Sequence, residues 1–166
     1  MMPTKRTAWY VLHVKPRVEK KVAIFLLRYG FPHHLPLYLK TYKVQRRKVR
    51  RWLPVFPGYV FARLSPEERI RMLQTNLLVR TISVPNQREL IHQLRQIRRV
   101  TRSEAEIAKV ALFKEGDYVR VLFGPMRGAE GYVKRHGRDA SLCLNLDILG
   151  TAVEVFVPAE NLEVVK

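Results

Sequence analysis

The sequence predicts an α+β sandwich over its first hundred residues, followed by a small antiparallel β-barrel. Three observations predict it. Up to residue 100, apolar residues recur by turns at strand and at helix spacing. From residue 113 onward, short strand patterns alternate with turn residues. Charge divides the chain at the same place: residues 1–100 hold 22 Lys and Arg against 4 Asp and Glu, whereas residues 101–166 hold 9 against 10.

The first strand is expected at Trp9-Tyr10-Val11-Leu12-His13-Val14, and Pro16 stops it. A helix is expected from Arg17 to Tyr29, with Val18, Val22, Phe25 and Tyr29 as its buried stripe. Gly30 stands where a left-handed C-cap is wanted, and Pro32 prevents continuation. Pro36 to Val44 reads as extended. Around it lies the densest charge run, Lys40, Lys43, Arg46, Arg47, Lys48, Arg50 and Arg51, which fits a hairpin with its tip in solvent. No acidic residue interrupts that run. Phosphate contact is therefore favoured over a merely solubilising loop, and such contact carries no sequence information.

The next strand runs from Tyr59 to Leu64, entered through Pro54, Pro57 and Gly58. Alternation puts Val60, Ala62 and Leu64 on one face, toward the core, and Tyr59, Phe61 and Arg63 on the other. The aromatic face, with Phe56 just upstream, is either covered by a second layer or is a partner pocket. Ser65, Pro66 and Glu68 form a helix start with a capping box, and Ile70, Leu73 and Leu77 continue that helix. Arg69 and Arg71 stand off this line, and Gln74, Thr75 and Asn76 end it with groups able to bond base edges. Leu78 to Val84 is extended. Asn86 and Glu89 open a third helix, whose stripe is Leu90, Ile91, Leu94 and Ile97. Domain boundaries are expected at 7–100 and 113–166, joined by a linker over 101–112. Barrel strands are expected at Tyr118–Phe123, Ala129–Arg135, Ala140–Leu146, Ala152–Val157 and Leu162–Val165.

The chain of 166 residues, 47% of them hydrophobic, can build real cores. No apolar run approaches the roughly 20 residues of a membrane span, and the short polar start is not expected to be a signal peptide. With Cys143 the single cysteine, no internal disulfide can form. A cytoplasmic, monomeric protein is expected. A first half this basic seeks a polyanion, with nucleic acid the default partner and a membrane disfavoured.

Catalysis has little support. His33-His34 lacks a nearby Cys or carboxylate and reads as a loop pair rather than a metal site. Cys143 lies in an apolar strand and reads as a small core residue. Asp117, Asp139 and Asp147 have no paired acid at useful spacing. No glycine-rich phosphate loop precedes a helix, so no enzyme activity, metal or cofactor is expected.

Phe113-Lys114-Glu115-Gly116-Asp117-Tyr118-Val119-Arg120-Val121, followed by Gly124-Pro125-Met126-Arg127-Gly128-Ala129-Glu130-Gly131, resembles a KOW motif. Preceded by Trp9-Tyr10-Val11, a helix, and Phe56-Pro57-Gly58-Tyr59-Val60-Phe61, the whole resembles the NusG family of transcription factors, from about Ala8 to Val165. The resemblance implies a ferredoxin-like N-terminal (NGN) domain followed by an SH3-like KOW barrel. It implies that the first domain binds the clamp helices of RNA polymerase through an apolar pocket, here Tyr10, Phe56, Pro57, Tyr59 and Phe61, with Ile91 and Leu94 of the third helix. Similarity to the specialised RfaH-like branch implies contact with non-template DNA through Arg69, Arg71, Gln74, Thr75 and Asn76, joined by Lys15 and Arg17; nascent RNA is the alternative nucleic-acid partner. Where housekeeping members carry Phe-Gly-Arg-x-Thr-Pro-Val-Glu-Leu, this chain has Leu146-Asp147-Ile148-Leu149-Gly150-Thr151-Ala152-Val153-Glu154-Val155. Rho binding becomes doubtful on that departure, as partly does binding of a small-subunit ribosomal protein. A specialised elongation or antitermination factor is favoured. The alternatives are the housekeeping factor and a ribosome-associated KOW protein that binds RNA.

Overall fold

The computed structural model describes residues 5–101, 116–122, 124–136, 139–155 and 162–165. Most of the expected linker, the turn at Gly137 and Arg138, and the end of the fourth barrel strand lie outside the described residues. The fold is mixed α/β, with three helices and antiparallel sheets. It divides into two compact units, residues 1–87 and 88–166.

The first unit holds a four-stranded antiparallel sheet. Its strands are β1 (Ala8–Val14), β2 (His33–His34), β5 (Tyr59–Leu64) and β6 (Leu78–Ser83), in the order β2-β5-β1-β6. His33-His34, expected as loop, is a two-residue edge strand paired with Ala62 and Phe61 of β5. Helices α1 (Glu19–Arg28) and α2 (Pro66–Gln74) cover one face of the sheet. Val22, Leu26 and Met72 from the helices meet Leu12, Val14, Val60, Ala62 and Leu64 from the strands, all essentially without exposed surface. Each of these Val, Leu and Met side chains contributes about 1.5–3 kcal/mol by leaving water, and Ala62 less.

Two helix phases differ from expectation. In α1 the stripe is Val22 and Leu26, and Tyr29 is 43% exposed. The helix starts two residues late, because Arg17 sits at φ 64°, outside helical space. Gly30 does close it, at φ 70°, with the Phe31 N–H reaching the Leu26 carbonyl at 2.9 Å. In α2 the buried residue is Met72, while Ile70 and Leu73 are exposed. The capping box forms as expected, with Ser65 Oγ accepting from the Glu68 N–H and a Glu68 carboxylate oxygen accepting from the Ser65 N–H. That box fixes where α2 begins, and its register turns position 72 inward.

Strands β3 (Leu37–Val44) and β4 (Arg47–Pro54) pair only with each other, as a two-stranded ribbon. The second unit contains α3 (Gln87–Thr101, from Arg88 on) and a five-stranded antiparallel sheet. Its strands are β7 (Tyr118–Val121), β8 (Glu130–His136), β9 (Asp139–Leu146), β10 (Thr151–Val155) and β11 (Leu162–Val164), in the order β10-β9-β8-β7-β11. Within this unit α3 is tied to the sheet by side chains. The Gln93 amide donates to Asp147 Oδ2 at 2.7 Å and accepts from the Asp147 N–H. Gln96 accepts from the Glu130 N–H at 2.8 Å, and Arg99 donates to the Gly128 carbonyl at 2.7 Å.

Candidate functional site

Pairing of β1 with β5 sets the faces of the first unit. Leu12 opposes Val60 and Tyr10 opposes Ala62 on the helix-covered face. Val11 opposes Phe61, His13 opposes Tyr59 and Trp9 opposes Arg63 on the other. His13 and Tyr59 stack, with ring centroids 5.0 Å apart and planes 22° from parallel. Phe56 meets Phe61 edge-on at 6.2 Å.

The turn that delivers these rings is held from both sides. Gly58 adopts φ 87°, which side chains rarely tolerate. Its N–H donates to the Glu19 carboxylate and its carbonyl accepts from the Val14 N–H, both at 2.8 Å. Pro57 is thereby left exposed and Tyr59 half-buried, while Phe56 is 6% exposed and Phe61 has no exposed surface. Phe56 and Phe61 are buried rings in this structure. Tyr59 and Pro57 are reachable as they stand.

The cations fall into three groups. Arg46, Arg47, Lys48, Arg50 and Arg51 are exposed on the ribbon. Lys15 and Asn76 meet where β1 and α2 end: Lys15 Nζ donates to Asn76 Oδ1 at 3.0 Å, and the Lys15 N–H to the Leu77 carbonyl. Arg17 and Gln74 are exposed, two residues away in sequence from Lys15 and Asn76 respectively. Thr75 belongs there in sequence, but its hydroxyl is taken up by the helix end, donating to the Met72 carbonyl at 2.6 Å. Arg69 and Arg71 are drawn back onto rings. Arg69 lies 5.7 Å from the Tyr10 ring centre and donates to Thr81 Oγ1 at 3.0 Å; Arg71 lies 5.5 Å from that of Tyr29.

The three carboxylates of the first unit are all engaged close to home. Glu19 holds Gly58, and Glu68 closes the capping box and pairs with Lys5 at 3.4 Å. Glu67 accepts from its own backbone N–H and from Ser65, which keeps its pKa below the usual carboxylate value.

The sequence profile of the NusG family, described as transcription termination factor nusG, matches residues 7–113. The chain belongs to the NusG family. The match spans β1 through α3 and therefore contains the whole aromatic strand and ribbon. No curated protein matches. Among solved structures, one of Thermotoga maritima NusG, described for its domain interaction, is similar at 22% identity over 97% of this chain and 98% of that one, with a TM-score of 0.53. At that identity the likeness shows the fold alone. A complex described as MjSpt4:Spt5 aligns at 15% identity over 95% of this chain and 97% of the other, with a TM-score of 0.30, too low to argue from.

Against this NusG background, Tyr10 needs correction as a pocket residue. It packs against the helix-side core, on the opposite face from Tyr59 and Phe61. Tyr59, Phe61 and Phe56 are brought together, with Pro57 in the same turn. Leu94 is buried and Ile91 half-buried on α3 of the second unit. Trp9, Val11, His13 and Arg80, the last paired with His13, share the aromatic face and were missed. Period-two reading of β1 from Val11 would have found the first three. In the second unit, a cavity of about 370 Å³ is lined by Glu89, His92, Gln93, Tyr118, Glu130 and Asp147 among others. Burial, and then the neighbouring Glu130, push the Tyr118 phenol pKa up, so it stays a neutral donor to Glu130. No trio of His, Cys, Asp or Glu among the described residues could hold a metal. No described helix is long and apolar enough to cross a membrane.

Proposed function

We propose that this chain is a specialised NusG paralogue that acts as a transcription elongation and antitermination factor. Membership of the family over residues 7–113 carries the reading, because that segment contains the anchored turn presenting Pro57 and Tyr59. The first domain, residues 7–100, binds the clamp helices of RNA polymerase through Tyr59 and Pro57 at the rim of the aromatic face, with Phe56 and Phe61 beside them; the family resemblance adds Ile91 and Leu94 of α3. The ribbon contacts nucleic-acid phosphates, and the Lys15–Asn76 cluster contacts non-template DNA before nascent RNA. The second domain, residues 113–166, is a KOW barrel of SH3 type that recruits a further partner, with a small-subunit ribosomal protein the first candidate and Rho the weakest. The strand order β10-β9-β8-β7-β11 supports that reading, since a five-stranded meander with a returning last strand is what such a barrel uses.

The test is retention on immobilised chain of purified RNA polymerase against purified ribosomal subunits. Polymerase should be retained, and Tyr59→Ala with Pro57→Ala should abolish retention while leaving the chain folded. Retention of ribosomal subunits in place of polymerase would overturn the reading in favour of a ribosome-bound RNA-binding protein.

A further inference from the structure

We propose that the β3–β4 ribbon enters the major groove of duplex DNA tip first, with one of its faces turned to the base edges. The inference rests on the nucleic-acid half of the function proposed above and makes it specific. The ribbon stands as a sheet of its own, eight residue pairs long from Leu37–Pro54 to Val44–Arg47. Its root is fixed, with Pro36 buried and its carbonyl accepting from the Val55 N–H at 2.9 Å. Eight residues at about 3.3 Å each give a rod of about 26 Å. A two-stranded ribbon fits the B-DNA major groove, about 12 Å wide, whereas the major groove of A-form RNA is too deep and narrow for side chains to read.

Register divides the side chains. Thr41 opposes Arg50 and Lys43 opposes Lys48 on one face, all four exposed. Arginine and lysine can donate to guanine O6 and N7, and a threonine methyl can meet a thymine methyl, so this face suits base edges. Lys40 opposes Arg51 and Val44 opposes Arg47 on the other face, where half-buried Tyr42 and Val49 lie between them. Lys40 Nζ sits 5.2 Å from the Tyr42 ring centre, which holds that cation beside the ribbon rather than beyond its tip. These three cations suit flanking phosphates. No acidic residue occurs between Leu35 and Pro54, so nothing in the ribbon neutralises it.

The tip supplies an independent reason. Gln45 and Arg46 both sit at positive φ, 46° and 66°, in a two-residue hairpin turn. Asn-Gly is the pair this turn favours, and residues such as Gln and Arg, whose Cβ crowds the carbonyl at positive φ, strain it. Strain kept at an exposed tip, where glycine would relieve it, points to side chains that touch something.

The experiment measures binding of the full-length chain to a DNA duplex, an RNA duplex of the same sequence and the single strands, each of about 20 nucleotides or base pairs and at several salt concentrations. The DNA duplex should bind at least about tenfold tighter than the RNA duplex, the discrimination that one good base contact provides. Lys43→Gln with Lys48→Gln and Arg50→Gln should erase that preference. Lys40→Gln with Arg47→Gln and Arg51→Gln should weaken both duplexes alike. Gln45→Asn with Arg46→Gly should lower DNA affinity while melting stays unchanged or rises. Equal or tighter binding of RNA duplex or single strands, or indistinguishable effects of the two triple variants, would overturn the groove assignment. If polymerase retention fails while the duplex preference stands, the polymerase reading falls and this inference survives. Lost preference with intact retention sinks this inference alone.

Discussion

The two units handle positive charge in opposite ways. In the second, two cations of the sheet meet carboxylates: Arg120 donates to Glu130 at 2.6 Å and to Glu163 at 3.4 Å, and Lys134 to Glu154 at 2.8 Å. In the first, the few carboxylates are spent on backbone and caps, and cations lie over aromatic rings or extend into solvent. A near-neutral unit that pairs its own charges has little use for a polyanion. A unit that leaves its cations free is built to meet one. The difference also says what holds each unit together. The first relies on apolar core and caps, its carboxylates Glu19 and Glu68 being engaged by the Gly58 N–H and by the α2 cap and Lys5.

The strongest challenge to that division is Phe61→Ala. Phe61 has no exposed surface and contacts Phe56 edge-on, so its truncation should cost about 3–5 kcal/mol and be visible as a large loss in thermal melts. Tyr59→Ala, at a half-buried rim position, should cost on the order of 1 kcal/mol. Equal costs for the two would mean that the face is not divided into core and rim. Ser65→Ala comes next: it removes the cap of α2, and urea titration should show a loss of about 1 kcal/mol. Arg120→Gln should have a smaller effect than Ser65→Ala, because its side chain is 43% exposed and water screens the pair. A larger loss there than at Ser65 would show that ion pairs dominate the second unit.

Acid supplies the mildest probe. The Glu67 carboxyl is held below its ordinary value of 4.5, first by its own backbone N–H and then by Ser65. Its charged form is thus favoured on folding. The stabilisation is complete above the unfolded pKa and is lost as pH falls through the lowered folded one. Glu67→Gln should therefore narrow the stability gap between pH 6 and pH 3, read by urea titration, without changing the fold.

Most strands were legible because their signals are local. Proline and glycine entering Tyr59–Leu64, the Ser65–Glu68 box and the turn residues beyond Gly116 each act within a few positions. The α2 stripe was misread because Ile70, Leu73 and Leu77 share helical spacing, yet tertiary packing chose Met72. Gln87 was invisible for another reason. Its side-chain amide donates to the Trp9 carbonyl and accepts from the Trp9 N–H at 2.7 Å, and nothing local announces a bond across 78 positions. Of the candidate site, the exposed ribbon was legible from charge alone. Tyr10 was misassigned because a resemblance ranks aromatic residues without fixing their face, whereas the β1–β5 register does.

The division of charge between the units is tested most directly by the salt dependence of nucleic-acid binding. Two full-length variants are compared with the unaltered chain, one with Arg46, Arg47, Lys48, Arg50 and Arg51 changed to Gln, the other with Arg120 and Lys134 changed to Gln. Each phosphate contact on duplex DNA contributes about 0.9 to the slope of log affinity against log salt. The ribbon variant should lose up to about 4.5 of that slope, and the second-unit variant should lose none. An unchanged slope in the ribbon variant, or an equal loss in both, would contradict the account.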